Sequence, residues 1–147
     1  MKKKLYLAHP ISGLSGKEIF SYFDNAKDKL KDYYDILSPM TGKNYLRNID
    51  TAKPSGYTHP ISNNHAIFQR DTWMVSQSDI VFCDFTGVEK ISIGCCMELA
   101  IASWLNKHTI VVMDKNNIHN HAFILEAADI VFETYEEGFN YLVELGE

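Results

Sequence analysis

The sequence predicts one α/β domain, a three-layer sandwich with helices on both faces of a five-stranded parallel sheet. Two observations lead there. Short apolar runs alternate along the chain with longer amphipathic stretches, which is the order of repeated βαβ units. The chain also has 147 residues, the length of one domain with a sizeable core, so residues 1–147 read as a single unit.

The first strand is 5–8, Leu-Tyr-Leu-Ala, ended by His9-Pro10 and Gly13. A helix over 16–33 follows. Ile19, Phe20, Phe23, Ala26 and Leu30 share one face, and Lys17, Asp24, Lys27, Asp28 and Lys31 share the other. Strand two, 35–38, stops at Pro39. Residues 40–62 are rich in Gly, Pro, Asn and Thr and show no period. Such a long connection is usually functional or mobile, and Tyr45, Arg47 and Tyr57 suit a lid that selects a ligand. A second helix spans 63–76, with Asn63 or Asn64 as cap and Ile67, Met74 and Val75 inward.

Strand three, 79–84, leads through a turn at Phe85-Thr86-Gly87 into the run 92–105, which is nearly all apolar. A helix starting near Gly94 and apolar all round is expected to be buried. Strand four is 109–113, a short helix covers 121–128, strand five is 130–132, and a last helix over 135–145 packs on its own core or on a partner. Five strands in this order give a flavodoxin/Rossmann-like sheet with strand order 2-1-3-4-5.

Composition excludes several classes. The net charge is −5 with no basic block, so the footprint of a nucleic-acid binder is missing. Lys2-Lys3-Lys4 is followed by too short an apolar stretch for a signal peptide, and no run reaches the length of a membrane span. Cys83, Cys95 and Cys96 fit neither a disulfide framework nor a zinc pattern, which leads to an expected cytoplasmic setting. His119-x-His121 lacks further ligand spacing and reads as surface, so no metal is expected. Phosphate-cradling and dinucleotide glycine motifs and the nucleophile elbow of α/β-hydrolases are absent.

The remaining chemistry is carboxylate chemistry. Glu98 is the only charge between Lys90 and Lys107, and an ionised carboxylate in an apolar helix requires a partner. Its position at the strand-to-helix crossover is where open α/β sheets bind ligands. Asp84, at the end of strand three, and Asp71, on the preceding helix, converge on the same end, and Tyr6 on strand one offers a phenol. A carboxylate nucleophile with a second acid is a kit for cleaving a glycosidic bond with retention. Each residue also has a plain alternative: the helix dipole favours Glu98, Asp84 caps a turn, Asp71 pairs with Arg70, and Tyr6 is core.

Three blocks, 5–13, Arg70-Asp71 with 78–81, and Gly94-x-x-x-Glu98-Leu99-Ala100, together resemble the nucleoside 2-deoxyribosyltransferase superfamily over most of the chain. The resemblance implies a covalent sugar ester on Glu98, an Asp71 that serves proton transfers to the base, and a Tyr6 that orients the nucleophile. It implies no cofactor. The superfamily holds transferases that exchange bases and N-glycosidases that use water. Ser92 stands where transferases of free nucleosides carry aspartate, and a serine donates to a phosphate that a carboxylate would repel. This favours a nucleoside 5′-monophosphate, unless Ser92 serves only as the helix cap. Ser12 and the backbone of the Ile11-Ser12-Gly13 turn add donors, Gly94 opens the helix start, and His9 stands where many relatives have glycine, available to phosphate or base. Relatives complete each site from a neighbouring subunit, near Asn120 or His121 here, which implies a homodimer or higher homo-oligomer. A non-catalytic nucleotide-binding module is the reading of another class.

Overall fold

The computed structural model describes all 147 residues. Strands β1 (Lys3–Ala8), β2 (Tyr34–Leu37), β3 (Ile80–Asp84), β4 (His108–Val112) and β5 (Ile130–Phe132) form one parallel sheet in the order β2-β1-β3-β4-β5. Helices are α1 (Gly16–Leu30), α2 (Asn64–Gln77), α3 (Ile93–Trp104), α4 (Ala122–Ala127) and α5 (Tyr135–Gly146). The expected topology is therefore present.

The strands read as apolar runs because both faces of the sheet are covered. Leu5, Leu7, Ile80, Phe82, Ile110 and Val112 point to one core, shared with α1 and α5. Tyr6, Ala8, Val81, Cys83 and Val111 point to the other, shared with α2, α3 and α4. Alternation along β1 thus delivers the Tyr6 side chain to the α2–α3 layer. Chain direction across the sheet reverses between β1 and β3, and the loops leaving their carboxyl ends diverge to leave a crevice there.

Several boundaries differ from expectation. Helix α1 stops at Leu30, and β2 starts at Tyr34, whose ring is buried. The start of α1 is fixed by a capping box between Ser15 and Glu18. The apolar run of α3 is not buried all round: Cys95, Leu99 and Ala102 are, but Ile93 and Trp104 are 73 % and 88 % exposed. Helix α5 packs on its own core through Phe139 and Leu142, with Gly138 against Phe82 and Val112.

The 40–62 segment is a packed wall rather than a loose lid. Met40, Leu46 and Ala52 enter the α1 core, and a 3-10 turn forms at Asn44–Leu46. Its main chain is tied to the β1–α1 connection by Gly13 N–H to Ala52 O, Ala52 N–H to Leu14 O, and Gly16 N–H to Ile49 O. A Cβ at Gly16 would lie 2.1 Å from the Leu46 carbonyl oxygen, so only glycine permits this approach. Of the three expected lid residues, Tyr57 alone lines the cavity; Arg47 instead pairs with Asp24 on α1 and covers the Phe20 ring.

Candidate active site

The crevice between the β1 and β3 loops opens into a cavity of about 980 Å³, large enough for a nucleotide. His9, Ile11, Ser12, Gly13, Asp71, Asp84, Ser92, Gly94 and Glu98 all line it. Asn120 and His121 do not: Asn120 donates to the Lys115 carbonyl, and the His121 side chain caps α4. Tyr6 lies behind the wall, fully buried, and reaches the cavity only through its partner.

That partner is Glu98. The Tyr6 hydroxyl donates to Glu98 Oε2, a bond between β1 and the second turn of α3. Asp71 comes in from α2, which packs beside α3. It makes no ion pair with Arg70, whose guanidinium donates to the Thr41 carbonyl instead, and Asp71 Oδ1 is buried with no protein partner. The pairing offered as an alternative for Asp71 is therefore absent, and the carboxylate is left without a protein hydrogen bond in the wall of the cavity.

Burial decides the charge state of the pair. The Glu98 carboxyl is pushed up to about 8, mainly by desolvation, with Asp71 adding to the rise; the Tyr6 hydrogen bond and the Lys43 ammonium act in the opposite direction and lose. Asp71 is raised to about 6 by burial, against the pull of Lys43 and Arg70. Both carboxyls thus hold a proton more readily than free ones, Glu98 more so than Asp71. Two carboxyls whose affinities are driven apart mark an acid–base pair.

Lys43 was not legible as a site residue, because a lysine in a polar connection reads as surface. It is only 4 % exposed, lines the cavity, and its ammonium has no hydrogen-bond or ion-pair partner in the protein. Burial lowers its affinity for a proton, opposed by Asp71 and Glu98.

The opposite wall is built from hydrogen bonds that use up some expected ligand contacts. Asp84 is buried: Oδ2 accepts from the Tyr22 hydroxyl at 2.8 Å and Oδ1 from the Thr86 N–H at 2.8 Å. It braces the wall, as its turn-capping alternative implied. His9 donates from Nδ1 to the Asp84 carbonyl at 2.8 Å and stacks on Tyr22 at 3.7 Å, leaving Nε2 without a protein partner. Burial lowers its pKa, so the neutral ring presents an acceptor, suited to a sugar hydroxyl rather than a phosphate. The Gly13 N–H is spent on Ala52, which removes one of the donors expected from the turn. Ser92 is the helix cap offered as its alternative, and it also borders the cavity. Its Oγ accepts the Cys95 N–H at 3.3 Å as the α3 cap, and the residue lines the cavity, so its hydroxyl hydrogen is free to donate.

The pattern for a nucleoside 2-deoxyribosyltransferase matches residues 5–142. No curated protein matches the chain. Solved structures agree in fold. A conserved protein from Enterococcus faecalis V583 superposes with a TM-score of 0.67 at 14 % identity, covering 99 % of each chain. A 2-desoxiribosyltransferase from Leishmania mexicana gives 0.63 at 18 %, covering 97 % of each. A CMP N-glycosidase from Clostridium botulinum gives 0.52 at 12 %, covering 97 % of this chain and 98 % of that one. The match over nearly the whole chain, on a sheet of the same order, places this protein in the nucleoside 2-deoxyribosyltransferase family.

Proposed function

We propose that the protein cleaves the N-glycosidic bond of (deoxy)ribonucleoside 5′-monophosphates and releases the base to water through a sugar ester on Glu98. The observation that carries this reading is the buried Tyr6–Glu98 pair beside Asp71, two carboxyls of raised proton affinity that can share one proton, in a cavity bordered by the Ser92 hydroxyl.

The shared proton supplies both roles. When it shifts from Glu98 to Asp71, Glu98 becomes a carboxylate nucleophile and Asp71 an acid. Glu98 attacks the anomeric carbon, the carbon–nitrogen bond breaks, its electron pair leaves with the base, and Asp71 protonates the base. Water then attacks the same carbon, Asp71 takes its proton, and Glu98 departs as carboxylate, which retains configuration and restores the starting proton count. The Lys43 ammonium stabilises negative charge accumulating at this end of the cavity. Ser92, Ser12 and the amides of Ile11 and Ser12 supply donors for the phosphate.

Chromatography of free base from deoxynucleosides and their 5′-monophosphates, with and without a second base, tests this across pH. Base is expected from monophosphates without an acceptor. The rate profile is expected to be bell-shaped with limbs near 6 and 8. Below the lower limb both carboxyls are protonated and no nucleophile exists; above the upper limb both are ionised and the base has no acid. Release that requires a second base and free nucleosides would make the protein a base-exchanging transferase. The absence of any reaction would favour a nucleotide-binding module.

A homodimer or higher homo-oligomer is part of the same proposal. Phe68 and Trp73 on α2, Met97 and Trp104 on α3, and Phe123 on α4 are all exposed on the layer where α3 lies between α2 and α4. Phe68 and Met97 also border a smaller cavity of about 320 Å³ that opens onto Asp71 and Glu98. A second copy seated there closes that opening and brings its own Asn120–His121 segment within reach of the site. Light scattering of Trp104→Glu is expected to show monomers with reduced turnover; an unchanged mass and rate would remove this interface.

A further inference from the structure

His119 was expected at the surface, yet it is only 2 % exposed in the connection between β4 and α4. Its ring stacks on Phe85 at 3.9 Å with an interplanar angle of 12°. The Ser92 N–H donates to His119 Nε2 at 2.8 Å. On the other side, Nδ1 lies 3.0 Å from Asn117 Oδ1, and Asn117 Nδ2 donates to the Phe85 carbonyl at 2.8 Å.

The polarity of this chain of bonds is forced. A backbone N–H only donates, so Nε2 carries no proton. The ring proton then sits on Nδ1 and is given to Asn117 Oδ1, which leaves the Asn117 amide nitrogen for Phe85. Burial lowers the His119 pKa and keeps the ring in this neutral form. The two ends of the β3–α3 loop, Phe85 and Ser92, are in this way tied to one three-residue segment, 117–119. The Ser92 amide is committed to His119 and one Oγ lone pair to Cys95, so the hydroxyl hydrogen, its only remaining donor, is left for a ligand.

We propose that His119 is a positioning residue that fixes the Ser92 hydroxyl for the phosphoryl group of the substrate. This rests on the monophosphate reading above. His119 contacts no substrate; its effect passes through the Ser92 amide, so it governs affinity for the phosphoryl group rather than the bond-breaking step.

Two variants separate the acceptor from the ring. His119→Phe keeps the stack on Phe85 and deletes the acceptor, and His119→Gln places a carbonyl oxygen where Nε2 was. For a 5′-monophosphate, KM in His119→Phe is expected to rise by roughly 10- to 100-fold, the effect of leaving a donor unsatisfied. The kcat, and the KM or Kd of the matching nucleoside, are expected to move little, and His119→Gln is expected to recover most of the loss. Thermal melting confirms that both variants fold. Nitrogen-15 NMR of the wild-type histidines is expected to show the His119 proton on Nδ1. If no nucleotide is turned over, calorimetric Kd values for the monophosphate and the nucleoside replace KM. The function reading then fails while the positioning claim is still decided by the same ratio. A proton on Nε2, equal losses for nucleotide and nucleoside, or no rescue by glutamine in a folded variant would overturn the proposal.

Discussion

Glu98→Gln is expected to abolish base release, with kcat lower by on the order of 10⁴-fold or more, as for removal of a covalent nucleophile. The amide keeps the shape and still accepts the Tyr6 hydroxyl. It also resembles the protonated carboxyl that dominates at neutral pH, given the rise of Glu98 to about 8. Folding stability and ligand affinity are therefore expected to change little, which separates loss of chemistry from loss of structure. Calorimetric titration with a 5′-monophosphate alongside a single-turnover base-release assay reads both. Full turnover by this variant would eliminate the ester mechanism; intact binding with no turnover in either protein would leave a binding module.

The second large effect is expected at Ser92. Aspartate caps a helix as well as serine does, so Ser92→Asp preserves the start of α3. It also places a carboxylate where the phosphate is proposed to lie, and like charges brought together in an interface cost several kcal/mol. The KM for 5′-monophosphates is expected to rise by roughly 100-fold or more, while activity on free nucleosides is retained or improved because the carboxylate accepts a sugar hydroxyl. Comparing kcat/KM on one nucleoside and its monophosphate gives the result directly. Unchanged selectivity would place the phosphate elsewhere.

The sheet was legible because its central strands are sandwiched between helices, so Leu5-Tyr6-Leu7-Ala8 and Ile80-Val81-Phe82-Cys83 carry no polar alternation to obscure them. Glu98 stood out because a lone charge among apolar residues needs a reason. The electrostatics was not legible in the same way. A helix dipole is local and can be read from spacing, whereas the desolvation at Glu98 comes from its burial in the folded chain. Lys43 and His119 were missed for a related reason: both sit in polar connections whose composition signals solvent, and both are buried by contacts with distant segments. The exposed side of α3 was misread because an apolar helix face looks the same in sequence whether or not the rest of the chain covers it.

The seam between the 40–62 wall and the β1–α1 connection is made largely of main-chain bonds, which do not depend on the identity of the side chains they carry. Lys43 contributes no side-chain bond to it. The residue beside the Tyr6–Glu98 pair can therefore be exchanged with little effect on the scaffold, provided Gly16 stays. The cavity lining at position 43 is in this sense modular: it can vary while the sheet and the Tyr6–Glu98 contact stay as they are.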